Sequence, residues 1–99
     1  MIKGIVGYKV RKDKDLQPML LKLRSHAMQY PGFVSAETLV SEKDFSVVAM
    51  TSTWETIESW RIWQESTITQ ELLRQDGALL MEEPRVTTYR MITPQVRWI

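Results

Sequence analysis

The most constraining stretch of the sequence is an apolar run that leads directly into three closely spaced tryptophans. The run at residues 45–50 predicts a strand, and Trp54, Trp60 and Trp63 then fall within ten positions. Tryptophan is bulky and is rarely buried completely. A strand followed by an indole-rich helix therefore predicts one aromatic-walled region, which is either an unusually heavy core or the lining of a pocket.

Chain length and composition predict a single small domain. With 99 residues, 43% hydrophobic and 25% charged, the chain resembles an ordinary globular protein with a thin core, and its four tryptophans favour self-association. It contains no cysteine, which excludes disulfides and thiol catalysis. No segment approaches the roughly 20 apolar residues of a membrane helix, and the apolar start at residues 1–7 is too short for a signal peptide. We therefore expect a cytoplasmic protein without membrane contact.

Charge is unevenly distributed along the chain, although the net charge is only +1. Residues 1–24 carry seven Lys or Arg against two Asp, whereas residues 25–99 carry six against ten acidic residues. A nucleic-acid-binding domain would be more basic or would contain a recognisable module. The distribution therefore predicts a solvated basic surface and no nucleic-acid partner.

Hydrophobic periodicity and turn residues predict seven elements. Strands are expected at residues 2–10, 33–41, 45–53 and 85–92, and helices at 13–30, 55–66 and 69–78. Asp13 or Asp15 is a candidate cap for the first helix, and Pro31-Gly32 ends it. The order is β-α-β-β-α-β, the split ferredoxin-like α+β fold with an antiparallel sheet. Residues 1–94 form the predicted domain and residues 95–99 a tail.

Alternation in the strands places apolar side chains on both faces of the predicted sheet. One face receives Val34, Ala36, Val48 and Met50, and the other receives Phe33, Leu39, Phe45 and Val47. Helices cover only one face of such a sheet, and a bare apolar face is rarely left in water. We therefore expect a homodimer through the sheet face. Gly4 and Gly7 on the first strand predict open space above the sheet or close approach of another backbone.

Two segments of the sequence resemble the antibiotic biosynthesis monooxygenase family. The family pattern is a Pro-Gly-Phe turn into the second strand and a Trp that ends the third strand, and here it matches residues 31–33 and Trp54. The likeness extends over about residues 2–92. It implies a dimeric α/β barrel in which two sheets pack face to face. It also implies one of several activities, which include oxidation of polycyclic phenols with O₂ without metal or flavin, haem degradation, and action on small signalling molecules.

The sequence departs from the haem-degrading branch of that family at two positions. That branch has a Trp at the place of Trp63, a haem-ligating His about ten residues later, and an Asn on the first strand. Here Leu73 stands near the His position, and the chain contains no Asn. Other members carry His at the positions of Trp63 and Ile68. The resemblance therefore implies an activity without a cofactor and argues against haem degradation by the usual route.

Three residues are candidate catalytic groups. His26 is the only histidine, and its side chain is the only one whose unperturbed pKa suits proton transfer near neutral pH, although a helix C-terminus also favours a histidine. Tyr8 could hold a phenolic substrate, and Arg61 could stabilise a developing phenolate or peroxide charge. A buried tyrosine can instead satisfy a backbone group, and an arginine can be a solvated charge.

Four aromatic residues are candidates for substrate binding: Trp54, Trp60, Trp63 and Tyr89. Trp54 and Trp60 fit core positions best, whereas Trp63 fits a pocket wall as well as a core. One histidine without clustered carboxylates makes no metal site.

Three functional hypotheses follow. The first is a cofactor-independent monooxygenase that oxidises a small aromatic or quinol-type molecule with O₂. The alternative is a non-catalytic dimer that binds a small apolar ligand or haem, and the third is a purely structural role with the tryptophans as core. The volume of the cavity beside the second helix discriminates among them.

Overall fold

The computed structural model describes residues 1–92 as a four-stranded antiparallel sheet with helices on one face. The sheet order is β2-β3-β1-β4, which confirms the predicted ferredoxin-like α+β fold. The predicted tail at residues 95–99, with Trp98, lies outside the described residues. The elements are, in chain order, β1 (Ile2–Lys9), α1 (Gln17–Ala27), β2 (Phe33–Val40), β3 (Val47–Trp54), α2 (Ile57–Gln64), α3 (Thr67–Asp76), a 3₁₀ turn (Gly77–Leu79) and β4 (Arg85–Arg90).

Strand β1 is central because it pairs with β3 on one side and with β4 on the other. Val6 lies opposite both Met50 and Val86. Alternate residues of β1, namely Gly4, Val6 and Tyr8, are buried beneath the helices. This face of the sheet, together with the helices, forms the core.

Side-chain caps start α2 and α3. The Thr56 hydroxyl accepts a hydrogen bond from the backbone N–H of Ser59 at 3.1 Å, and Ser66 does the same for Thr69 at 3.3 Å. Helix α1 has no side-chain cap and begins later than predicted, with Pro18 in its first turn. Asp15, the predicted cap, instead accepts the backbone N–H of Gln17 in the turn before the helix.

The Pro31-Gly32 turn fixes the approach of β2 to α2. Gly32 has a φ of 85°, a conformation that side chains other than glycine rarely adopt. A Cβ at Gly32 would also collide with the Ser59 side chain on α2. The Gly32 carbonyl accepts the backbone N–H of Glu55 at 2.8 Å. The turn therefore connects the start of β2 to the end of β3.

A bulge in β2 breaks the simple alternation that the sequence predicted. The register shifts between Phe33, opposite Trp54, and Ser35, opposite Thr53. Phe33 therefore packs against Trp54 on the helix side, with ring centroids 5.4 Å apart, instead of on the bare face. Phe45 also differs from the prediction, since it lies in the loop before β3 and is 79% exposed.

The sheet face away from the helices is more polar than the sequence predicted. Ile5, Leu39 and Ala49 contribute apolar surface, but the Thr51 hydroxyl donates to the Glu37 carboxylate at 2.5 Å on the same face. Basic residues also lie on this face: Lys3, Lys9 and Arg85. The carboxylate on the edge strand β2 and the basic side chains on β1 and β4 make this a mixed surface.

Candidate functional site

Trp54 is a core residue at the junction of β3 and α2. Its side chain is completely buried, and its indole N–H donates to the Ser52 hydroxyl at 2.9 Å. The ring stacks on Trp63, with centroids 6.3 Å apart and planes 23° apart. Tyr30 meets Trp63 edge-on at 5.1 Å. These contacts join α2 to the end of the sheet.

Trp60 occupies the space above Gly4 that the sequence predicted to be open. A Cβ at position 4 would overlap the six-membered part of the indole ring. The Trp60 side chain is only 4% exposed, and Gly4 is buried beneath it. Glycine therefore serves here to admit an indole rather than another backbone.

A small space remains between the sheet and helices α2 and α3, and we call it the inner cavity. Its volume is about 20 Å³, enough for one water molecule. The residues that line it are Val6, Tyr8, Leu23, Met50, Ser52, Trp60, Trp63, Gln64, Thr69 and Leu73. The aromatic region predicted from the sequence is thus mostly core, with a water-sized gap in it.

Tyr8 is the distinctive polar group of the inner cavity. The residue is only 5% exposed, and burial raises the pKa of its hydroxyl well above the ordinary range. Within residues 1–92 no side-chain N or O atom is both buried from solvent and without a hydrogen-bond partner. No hydrogen bond is found for the Tyr8 hydroxyl in that part of the chain, so this oxygen is not fully sealed, and Tyr8 lines the inner cavity. It is therefore an uncharged donor at neutral pH.

Other polar groups at the inner cavity are largely engaged. The Ser52 hydroxyl accepts the Trp54 N–H, and the Thr69 hydroxyl donates to the Trp63 carbonyl at 3.0 Å. Gln64 also lines the cavity. Gln64 and Thr69 were not among the residues predicted from the sequence, although the four-residue spacing from Trp60 to Gln64 predicts a shared helix face.

Three of the candidate residues lie away from the inner cavity. His26 lies near the end of α1 and lines neither the inner cavity nor the two larger, solvent-open depressions. Arg61 is exposed on α2. Tyr89 is 56% exposed and lies opposite Lys3, which places it on the sheet face away from the helices. The structure therefore brings together Tyr8, Trp60 and Trp63 among the predicted site residues, with Trp54 packed behind them.

Two larger depressions open to solvent. The first, the α1 groove, has a volume of about 510 Å³ and an apolar floor that includes Val10, Leu16, Leu20 and Val48, with Lys14 and Asp15 at its edge. The second, the outer groove, has a volume of about 250 Å³ and lies along residues 77–84.

In the described part of the chain no three potential metal ligands cluster, and no helix is long and apolar enough to cross a membrane.

The sheet order and the helices on one face define a ferredoxin-like domain with a small tryptophan-walled cavity. A family model described as antibiotic biosynthesis monooxygenase matches residues 2–75, so the chain belongs to that family. No curated protein sequence is significantly similar to it.

Solved structures agree with this fold. A candidate antibiotic biosynthesis monooxygenase from Nitrosomonas europaea superimposes with a TM-score of 0.84 at 16% identity, covering 94% of this chain and 100% of that one. A candidate member from Deinococcus radiodurans gives 0.85 at 10% identity and covers 99% of both chains. One from Bordetella bronchiseptica gives 0.79 at 19% identity, with 93% and 97% covered. At these identities the likeness shows the fold alone.

Proposed function

We propose that the protein is a small-molecule monooxygenase that oxidises an aromatic or quinol-type substrate with O₂, without a cofactor, at the inner cavity. Membership of the family supports monooxygenase chemistry. The observation that carries the proposal is the buried Tyr8, whose hydroxyl has no partner in the described residues and whose side chain lines a gap walled by Trp60 and Trp63. The indoles supply a dry aromatic environment, and the hydroxyl supplies one directional contact.

Tyr8 acts as a hydrogen-bond donor rather than as a base. Because its pKa is raised, its hydroxyl keeps its proton at neutral pH and donates to the substrate oxygen. That contact strengthens as the substrate oxygen gains negative charge, so it stabilises the electron-rich anion that reacts with O₂. In the oxidation of an anthrone-type CH₂ group, one O₂ yields one C=O and one water, and the substrate supplies all the electrons.

Oxygen consumption tests this activity directly. Anthrone-type and hydroquinone compounds are supplied to the wild type, Tyr8→Phe and Tyr89→Phe, and product is measured alongside O₂ uptake. We expect turnover by the wild type, a loss on the order of a hundredfold in Tyr8→Phe, and no change in Tyr89→Phe, which removes the same hydroxyl from the exposed sheet face. Absence of turnover across the panel by the wild type contradicts the proposed activity.

A second candidate function is a non-catalytic binder of a small apolar ligand or haem. One observation favours it: the α1 groove has the volume of a typical ligand site, whereas the inner cavity has room for about one water molecule. Titration with haem, followed by its Soret band and by tryptophan quenching, separates the two functions. Saturable binding that Phe45→Ala weakens, combined with no O₂ uptake on the substrate panel, would favour the binder.

We also propose a homodimer through the sheet face, in the cytoplasm. Leu39 is 52% exposed and Val47 is 42% exposed there, and Glu37 can meet the basic residues of a second copy. Ala49→Arg introduces a large charge near the centre of this face. We expect light scattering to give a dimer mass for the wild type and a monomer mass for Ala49→Arg; a monomeric wild type contradicts this part of the proposal.

A further inference from the structure

Leu73 lies between the inner cavity and the outer groove. Among residues 1–92 it is the one residue that lines both spaces. The inner cavity holds about 20 Å³, and the outer groove, open to solvent, holds about 250 Å³. A ring the size of benzene needs a cavity on the order of 150 Å³. An aromatic molecule can therefore reach Tyr8 only if a wall moves, and the Leu73 wall already has open space behind it.

Helix geometry explains this position. Thr69, Leu73 and Gly77 are spaced four residues apart along α3 and the 3₁₀ turn, so they form one row on the same side. Thr69 lines the inner cavity and Gly77 lines the outer groove. A Cβ built at Gly77 meets no atom within 4 Å, so the outer end of the row is unobstructed. Leu73 is only partly buried, and a change of its rotamer requires no backbone movement.

The ionisable side chains that line this route, within residues 1–92, are acidic and lie at its outer end. Glu82 and Glu83 line the outer groove, and Arg85, which is not part of the lining, lies 3.8 Å from Glu82 and leaves Glu83 as the uncompensated carboxylate. The described lining of the inner cavity contains no ionisable side chain other than Tyr8, which stays uncharged at neutral pH. An anion would meet these carboxylates and would then lose its hydration without gaining a partner of opposite charge. A neutral molecule meets neither cost.

We propose that Leu73 is the gate of the inner cavity, and that the molecule that reaches Tyr8 enters past it from the outer groove in an uncharged form. The substrate class is thereby narrowed to neutral phenols, hydroquinones or ketone tautomers, which lose a proton only after binding. This identification of the substrate rests on the proposed monooxygenase function. The gate itself does not, because any small neutral molecule should use it.

Acrylamide quenching of tryptophan fluorescence tests the gate without turnover. All variants carry Trp98→Phe, so that emission comes from Trp54, Trp60 and Trp63. Leu73→Ala should raise the acrylamide quenching constant several-fold. Leu79→Ala is the matched control, since Leu79 is also a partly buried leucine but lines neither space. Equal quenching in the two variants, with both folded by circular dichroism, overturns the gate.

A second variant fills the outer groove and should change quenching in the direction opposite to that expected from misfolding. Gly77 has helical backbone angles, φ −59° and ψ −28°, so Gly77→Leu introduces no backbone strain and fills open groove. We expect Gly77→Leu to lower acrylamide quenching in the parent and to reverse the increase in Leu73→Ala. No reversal means that quencher enters elsewhere, and the proposed route is wrong.

Iodide, an anionic quencher, tests whether only uncharged molecules pass Leu73. In Leu73→Ala at low ionic strength, iodide should quench far less than acrylamide, and the double variant Glu82→Gln/Glu83→Gln should raise iodide quenching while leaving acrylamide unaffected. Equal access of both quenchers in Leu73→Ala overturns the charge selection. If the quenching pattern holds but no substrate consumes O₂, the gate stands and the monooxygenase function fails. If O₂ is consumed but quenching is insensitive to Leu73, the function stands and the gate fails.

Discussion

The inner cavity and the α1 groove lie on the same face of the sheet and differ in almost every other respect. The groove is about 25 times larger, since the two volumes are 510 and 20 Å³, yet the polar side chains that line it, Lys14, Asp15, Gln17 and Thr38, are all exposed. The inner cavity is walled by Trp60 and Trp63 and lined by the buried Tyr8, whose hydroxyl pKa is raised by burial. The largest space in this fold is therefore not the one that contains a buried polar group. Four substitutions test this difference.

Loss of Trp54 should produce the largest effect. Trp54→Ala removes a completely buried ring that stacks on Trp63 and donates to Ser52. We expect the free energy of unfolding to fall by about 3–5 kcal/mol, measured by urea denaturation. A loss below about 1 kcal/mol would contradict the close packing of Trp54 against Trp63.

Adding one methyl group at Gly4 should produce the next largest effect. Gly4→Ala places a Cβ inside the Trp60 ring, which must shift or strain the sheet. We expect a loss of about 1–3 kcal/mol and altered near-ultraviolet circular dichroism of the indoles. Gly7→Ala is the matched control, because a Cβ there meets only the Arg85 carbonyl at 3.9 Å. Equal losses in the two variants would contradict the close packing of Trp60 on β1.

Tyr8 should make stability dependent on alkaline pH. Its pKa is raised in the folded state, whereas in the unfolded chain it is about 10. As pH rises above 10, the unfolded chain therefore ionises at Tyr8 while the folded chain does not. The free energy of unfolding is unaffected by ionisation of Tyr8 below that pH and falls above it. Above pH 10 the wild type should lose about 1.4 kcal/mol per pH unit more than Tyr8→Phe. Denaturation curves at pH 8 to 11 measure this difference. Parallel curves for the two proteins would show that the hydroxyl is hydrated, and that the inner cavity is as open as the groove.

Truncation in the α1 groove should produce the smallest effect. Phe45 is 79% exposed, so Phe45→Ala should change the free energy of unfolding by no more than about 0.5 kcal/mol. Urea denaturation beside Trp54→Ala provides the comparison. A large loss would show that Phe45 is covered in solution, for instance by a second copy, and the groove would then belong to an interface.

The features that the sequence predicted well are those that depend on neighbouring residues. Strand and helix order, the Pro31-Gly32 turn and Trp54 at the end of β3 follow from local periodicity, turn chemistry and a short family motif. The helix starts were less accurate: α1 begins two or more residues after the predicted Asp caps, because Pro18 and Leu16 define its first turn.

The predictions that failed depend on contacts between distant segments. The β2 bulge moves Phe33 to the helix side, and no local signal marks it. The volume of the inner cavity depends on how Trp60 from α2 meets Gly4 from β1, 56 positions away in the chain. Periodicity assigns each residue to a face, but it does not report how much space remains after both faces are packed.

The contact between Gly4 and Trp60 also has an evolutionary consequence. One volume is shared by two sequence positions, so a larger residue at position 4 becomes acceptable once position 60 is small, and the two should covary among relatives. A smaller side chain at position 60 alone would enlarge the inner cavity without moving the backbone. The fold can therefore change the volume of this cavity through a single substitution at position 60, and because Gly4 stays unchanged, a return to Trp60 is equally possible.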